Sequence, residues 1–597
     1  MAPGTTGGGI FPAGEGPPRR NDTTGMDPVA AKTADDPILS AGGAPPDPRP
    51  ARAALLERLA RDPFDLLVIG GGITGAGIAR DAALRGLRVA LVERDDFGAG
   101  TSSRSSRLVH GGVRYLEHGY LHLVFESSRE RRTLLRIAPH LVRPLAFTWP
   151  VYRGARVPRW KLSAGLFLYD ALALFRNIRS HRPLGPRGVR KREPAVAQTM
   201  NGRPLRGGAV YYDAATDDAR LTLATALSAA EAGAVVVNHA EAVALSHATE
   251  PGAAAPRVAG AEVRDCLGGA RALVRASVVV NAAGPWSDQV RRLENPAAAA
   301  GVRGTKGVHI LVPRERIRNR GALTLIAPRD GRVVFVLPAG PHTVIGTTDT
   351  PTDAAPEEVR ATRADVDYLL DVANAYFPWS ELTEGDVISA WAGIRPLAAG
   401  GSAKDPAASS REHALHESPA GLLSITGGKL TTYRSMAAEV VDAVERRLGR
   451  APAPPRTADL PLPNAVSSLE FETRLAQAVV RDDIVAQHLV ESYGTAWRAV
   501  WALARRDPWL HGRVVSHLPV LRAEFAYAVG RELALTIADV LMRRTKLAFE
   551  TRGAALETAV ADCAAVLAAA LGWSAAEREE AVAEYRVEHA RVFAVEG

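Results

Sequence analysis

The sequence predicts an α/β protein with three parts: a doubly wound, Rossmann-like dinucleotide-binding domain, a mostly antiparallel substrate domain inserted into it, and an all-helical C-terminal domain. Three observations predict it. Residues 65–93, DLLVIGGGITGAGIARDAALRGLRVALVE, pass from an apolar run through a glycine turn and a small-residue helix to a second apolar run ending in an acid. From 65 to about 450, strand-like and helix-like segments alternate with interruptions, as in a doubly wound domain that holds an insertion. Beyond a Pro-rich stretch at 451–464, residues 465–597 are rich in Ala, Leu and Arg at helical spacing, with almost no strand pattern.

Each position of the first segment has a mechanical reason. Gly70 permits a tight exit from the strand, Gly72 lets backbone N–H groups approach a pyrophosphate, and Gly75 lets the helix lie close on the sheet. The helix N-terminus then carries partial positive charge toward the phosphates. Glu93 stands 21 residues beyond Gly72 at the end of the second strand, where its carboxylate can accept from ribose hydroxyls and disfavours a 2′-phosphate. The motif alone is common; with two strands, a helix and the acid in register it specifies a cofactor containing ADP-ribose.

The remaining elements follow from similar patterns. Residues 1–48 are rich in Gly, Pro, Ala, Thr and Asp without periodicity and are expected to be disordered. A short amphipathic helix is expected near 51–60, a buried strand ending on a glycine turn in RALVRASVVVNAAGPW (271–286), and a hairpin in VVFVLPAGPHTVIG (333–346). The segment at 421–448 reads as a strand, a Gly-Gly turn and an amphipathic helix. Segment 451–464 reads as a linker.

Composition narrows the function. A chain of 597 residues exceeds one core, so two or three domains are expected. The net charge of +8 suits an anionic substrate or lipid surface, whereas 6% aromatic residues leave few stacking platforms for nucleic acid, which is not expected as a partner. Cys266 and Cys563 lack C-x-x-C spacing, so neither a disulfide framework nor a metal site is expected, and both read as small core hydrophobes in a reducing compartment. No uninterrupted apolar run reaches the roughly 18 residues of a spanning helix, and no secretory signal stands at the N-terminus, so the expected location is cytoplasmic with at most peripheral contact on the inner face of the plasma membrane.

Chemistry-bearing residues concentrate in GAGTSSRSSRLVHGGVRYLEHG, where hydroxyls, glycines, His110, Arg114 and Tyr115 are too dense for an ordinary loop. This segment, with GGGITGAGIARDAALRG, NAAGPW, IGTTDT, GIRPL and GGKLTTYR in order over about 62–450, resembles the FAD-dependent glycerol-3-phosphate dehydrogenases; DVLMRRTKL, at 539–547, resembles that family's C-terminal domain. The individual motifs are short, and their ordered combination is specific. Thr74 departs from the family, where Asn is common.

The resemblance implies noncovalent FAD, a hydride passed to it from C2 of sn-glycerol 3-phosphate, glycerone phosphate as product, and electrons delivered to a membrane quinone. An oxidase on the same scaffold, releasing peroxide from oxygen, stays open, as does a homodimer. FAD is expected on Gly70, Gly71, Gly72, Ile73, Thr74, Gly75 and Glu93; on Thr101, Ser102, Ser103 and Ser106; on Gly111, Gly112 and Gly284; and on Gly428, Lys429, Leu430 and Thr431. Alcohol oxidation needs a proton acceptor, and His110 and His309 both match the family's site, without a choice between them. Phosphate recognition favours arginine. Arg395 in the apolar stretch WAGIRPL is the strongest candidate and is counted with the catalytic residues; Arg114, Tyr115, Arg411 and Lys429 join it. Thr347 and Asp349 complete the substrate side, Asp349 in an orienting role because a carboxylate beside a dianion would otherwise repel it.

Overall fold

A computed structural model describes residues 48–249, 255–398 and 413–597. Its first sheet has eight strands and follows the order Phe64–Ile69, Val89–Val92, Val235–Val237 on one side, and Arg271–Asn281, Leu423–Gly427, His413–Glu417 on the other. The five central strands are parallel, and the hairpin Ala240–Ala248/Arg257–Asp265 extends antiparallel from Arg271–Asn281. A strand buried on both faces reads as a continuous apolar run because alternate residues feed opposite cores. Leu66 and Val68 pack with helices Ile73–Leu84 and Tyr433–Arg447, whereas Leu67 and Ile69 pack on the other face with Leu59 of helix Pro48–Arg61.

The second sheet has eleven strands and is largely antiparallel. Its long members are Val142–Tyr152, Arg203–Thr216, Val302–Pro313 and Ser389–Ala398, with the expected hairpin Val333–Ala339/His342–Gly346 beside them. Sequentially distant segments alternate between the two sheets, which is the insertion that the interrupted pattern predicts.

Helices from Leu469–Val480 to Ala575–Phe593 form the C-terminal part. A π-helical turn, Asp539–Arg544, couples it to the cofactor domain. That wide turn brings Arg543 and Arg544 onto one buried carboxylate, Asp96, at 2.7 and 2.6 Å, while Asp539 bonds His239 at 2.9 Å. Removing Asp96 would leave the buried Arg544 without a carboxylate, while Arg543 keeps Asp539 at 2.7 Å, a loss of about 3–5 kcal/mol. The Pro-rich stretch is no free tether: Arg80 donates to the carbonyls of Thr457 and Leu460, and Leu462 N donates to Ile137 O.

One expectation changes. Cys563 is buried, but Cys266 is exposed, because it falls in the turn joining two antiparallel strands and not on an inward face. Helix Ala554–Leu571 is long and apolar enough to cross a membrane; its Glu557 and Asp562 interrupt the run, and Ala559, Val560, Cys563 and Leu567 pack in the C-terminal core.

Candidate active site

A cavity of about 370 Å³ opens at the carboxyl ends of the parallel strands, where doubly wound sheets bind ligands. Three glycine turns approach it, at Gly70–Gly72, Gly284 and Gly427–Gly428, and Thr74, Glu93, Thr101, Ser102, Lys429 and Leu430 also line it. Gly70 has φ +109, and a Cβ there would lie 2.7 Å from Ala282 O. At Gly75 a Cβ would overlap the Gly70 carbonyl, whereas at Gly72 it would meet only Ser102 Oγ, at 3.3 Å. The cradle is therefore shaped at Gly70 and Gly75 by close packing and left open at Gly72.

Glu93 accepts from the amides of Gly71 (2.6 Å) and Asp95 (2.9 Å). Burial, with Asp95 nearby, still pushes its carboxyl up to about 7. Ser102 Oγ accepts from Ile73 N at 3.0 Å, so the hydroxyl loop closes over the first turn of the helix, and Thr101 Oγ1 donates to Ile394 O at 2.6 Å. Arg94 stacks on Trp286 at the cavity wall, 5.2 Å from the ring centroid.

Other residues expected at the cofactor lie beside this cavity and not on it. Gly71 packs against Glu93 and Phe97, and Ser103 is buried in the turn Thr101–Ser103. Ser106 Oγ is 2.8 Å from His309 Nε2. Gly111 N donates to Asp213 Oδ1 at 3.0 Å, and Asp213 also accepts from Tyr169 and the buried Arg131. Gly112 adopts φ +75 against the Tyr115 ring, and Thr431 pairs with the main chain of His110. This arrangement fixes the HGG turn, with His110 stacked on Tyr115 and Lys429 Nζ 4.1 Å from the Tyr115 centroid.

The substrate side comes from strand register. Val302–Pro313 pairs with Ser389–Ala398 so that Thr305 opposes Arg395, Gly307 opposes Gly393, and His309 opposes Trp391. Directly opposed residues share a face, and every second residue returns to it. His309 and Arg395 therefore stand on one face, separated by a row of two glycines. At Gly307 a Cβ would collide with the Arg395 guanidinium, which leans over that position.

Arg395 donates to Asp349 Oδ1 and Thr347 Oγ1, each at 3.0 Å, and to Thr348 O at 3.3 Å. His309 is buried and stacked on Trp391, and burial, then Arg395 and Arg107, push it down to about 3. The imidazole is neutral at physiological pH. Arg114 lies in the turn Val113–His118, and Arg411 falls outside the described residues.

Residues 65–434 match the model of the FAD dependent oxidoreductase family, and residues 455–578 match the C-terminal domain of alpha-glycerophosphate oxidase. The chain is 40% identical over 542 residues to glycerol-3-phosphate dehydrogenase 2 of Mycobacterium tuberculosis, covering 89% of each. It is 39% identical over 547 residues to the human mitochondrial glycerol-3-phosphate dehydrogenase, covering 89% of this chain and 74% of that one. Among solved structures, the glycerol-3-phosphate dehydrogenase of Bacillus halodurans complexed with FAD superposes with a TM-score of 0.73 at 31% identity, over 92% of this chain and 98% of that one.

The chain belongs to the FAD-dependent glycerol-3-phosphate dehydrogenases. FAD is its cofactor, and the residues present suit it: an open backbone cradle at Gly72, an acid on the second strand, and two further glycine turns along one cleft. Sequence reasoning missed Gly307, Asp213 and Trp286. Gly307 carried a readable mark, since a glycine inside a strand commonly denotes close approach of another group. Trp286 stood at the end of the NAAGPW motif without being assigned a role, and Asp213 carried no mark, because its partners are distant in sequence.

Proposed function

We propose that this chain oxidises the C2 hydroxyl of sn-glycerol 3-phosphate to glycerone phosphate and passes the electrons to a membrane quinone. The observation that supports it best is the pairing, on one face of one sheet, of a neutral buried histidine with an arginine already oriented by a carboxylate. Bound FAD supplies the hydride acceptor. His309 takes the hydroxyl proton, since it is neutral, bonded to Ser106 and on the same sheet face as Arg395. Arg395 binds the phosphate, with Asp349 and Thr347 holding its planar fork. Lys429, above Tyr115, adds positive charge next to the glycine turn.

Membrane contact in this reading is supported by the inserted domain and not by the helical tail, whose residues 465–597 carry more Asp and Glu than Lys and Arg. Trp160, Phe167, Leu168, Leu174 and Phe175 are 40–74% exposed, and Phe167 and Phe175 lie 5.9 Å apart. Exposed Arg153, Arg159, Lys161, Arg176 and Arg179 surround them in sequence, while the one acid in that stretch, Asp170, is buried on His181 and Asn177. Apolar side chains amid cations suit an anionic lipid surface.

The test is flavin absorbance after anaerobic mixing with sn-glycerol 3-phosphate, glycerol or glycine. Bleaching by the phosphate ester alone is expected; a flavin that stays oxidised would reject the substrate. Re-oxidation by a short-chain quinone in anionic vesicles, faster than by air, is expected next. Stoichiometric peroxide in air would favour the oxidase.

A further inference from the structure

A second cavity, of about 340 Å³, lies between the inserted sheet and the C-terminal domain, apart from the cofactor cleft. Its walls are of two kinds. Leu108, Leu145, Leu337, Val344 and Val520 form an apolar side, and Arg107, His140, Thr216, Asp217 and Lys546 face them. Two of the charges are already matched: Lys546 Nζ bonds Asp217 Oδ2 at 2.5 Å, and Arg143 at the edge pairs with Glu491.

Arg107 differs. Its guanidinium carbon lies 5.4 Å from the Trp391 centroid and 5.2 Å from that of Phe549, its side chain makes no hydrogen bond among the described residues, and its charge acts on the carboxylates of Asp218 and of Glu550, which also lines the cavity. Its Nε is buried without a partner, as are His140 Nδ1 and Thr216 Oγ1, on side chains 2% and 5% exposed. A buried polar atom left unbonded costs about 1–3 kcal/mol, so three such atoms around one cavity point to a partner that supplies their bonds.

We propose that this cavity is a second binding site, for a small organic carboxylate with an apolar body. The carboxylate matches the planar edge of Arg107, which its two aromatic neighbours hold flat. Thr216 and His140 serve the remaining oxygen or a hydroxyl of the ligand, and the leucine wall receives the body. A sugar phosphate, polar along its whole length, would leave that wall wet. Occupancy bears on the active site through contact: Trp391 stacks on His309 at 5.5 Å and carries Arg107 at 5.4 Å from the same indole, and Ser106, which bonds His309, lines the cavity.

The experiment is calorimetric titration of the FAD-loaded enzyme with benzoate, its neutral isostere benzyl alcohol, and inorganic phosphate. Benzoate is expected to bind at least tenfold more tightly than benzyl alcohol. Arg107→Gln should abolish that preference, Thr216→Val should weaken benzoate several-fold, and Arg395→Ala should leave it unchanged, with flavin absorbance and Tm confirming that each variant is folded. Equal binding of the alcohol, or benzoate binding retained in Arg107→Gln and Thr216→Val, would overturn the site. Loss of benzoate in Arg395→Ala would assign it to the active site instead. Phosphate that binds through Arg107 more tightly than benzoate would overturn the ligand class. The proposal is independent of the activity proposed above: a failed flavin reduction by glycerol 3-phosphate would leave these titrations as they are.

Discussion

The cofactor cradle and the substrate face are built by opposite means. At the cradle, recognition is carried by main chain: Gly70 and Gly75 exclude side chains, and Glu93 and Ser102 hold amides of the turn at 2.6 and 3.0 Å. On the substrate face it is carried by side chains, Arg395 and His309, whose positions depend on the register of two strands about 90 residues apart in sequence. The first lies mostly within one strand–turn–helix–strand unit, closed by Ser102 and the Ala282 turn; the second is exact only as long as the whole sheet is. Damage to the cradle should therefore remove the cofactor, whereas damage to the substrate face should leave a coloured but impaired enzyme.

The largest expected effect is at the cradle. Gly75→Val drives a side chain into the Gly70 carbonyl, and overpacking of this kind costs about 3 kcal/mol. The purified variant should be colourless with a lowered Tm; retention of stoichiometric flavin would break the distinction. Next comes His309→Ala, which should keep FAD and lower the rate of flavin reduction by about 10²–10⁴-fold, the usual range for loss of a general base. A comparable loss in His110→Ala with His309→Ala unaffected would reassign the base.

Arg395→Ala should raise KM for glycerol 3-phosphate by about 10²-fold or more, in line with the 2–5 kcal/mol of a truncated, hydrogen-bonded charge pair, with little change in FAD content. Asp349→Asn keeps an acceptor for Arg395 and should cost roughly tenfold. Unchanged kinetics in both variants would remove the phosphate assignment.

The last expectation is of another kind, the pH dependence of stability. His309 and His140 are held neutral by burial, each pushed down to about 3. Their unfolded values are near 6.5, so the unfolded chain binds more protons between those limits and stability falls as pH falls through that window. Each contributes up to about 1.4 kcal/mol per pH unit there, and nothing above pH 7. Melts from pH 7 to 4.5 should show this slope, and His140→Gln should flatten it; a slope unchanged by that substitution would place the acid sensitivity elsewhere.

Much of the cradle was legible in the sequence because its logic is local. Gly70, Gly72, Gly75 and Glu93 stand within one strand–turn–helix–strand unit whose backbone sterics set their spacing, although the carbonyl that crowds Gly70, that of Ala282, comes from a distant strand end. The glycines of 284 and 428 were legible for the same reason, each ending a buried strand. The protein partners of Ser106 and Gly111 were not legible, since a loop's sequence does not state which strand it will meet: Ser106 meets His309, and Gly111 meets Asp213.

By itself the sequence determined the fold class, the family and the cofactor, because strand and helix periods, turn glycines and ordered motifs are properties of contiguous residues. Only the tertiary structure decided that Arg395 and His309 share a face, that Gly307 makes room for the guanidinium, and that Asp349 and Thr347 hold it. It alone also placed the Arg107 side chain between two aromatic rings from separate domains. These are facts of sheet register and domain docking, set by hydrogen bonds and packing between segments far apart in the chain, and no local pattern encodes them.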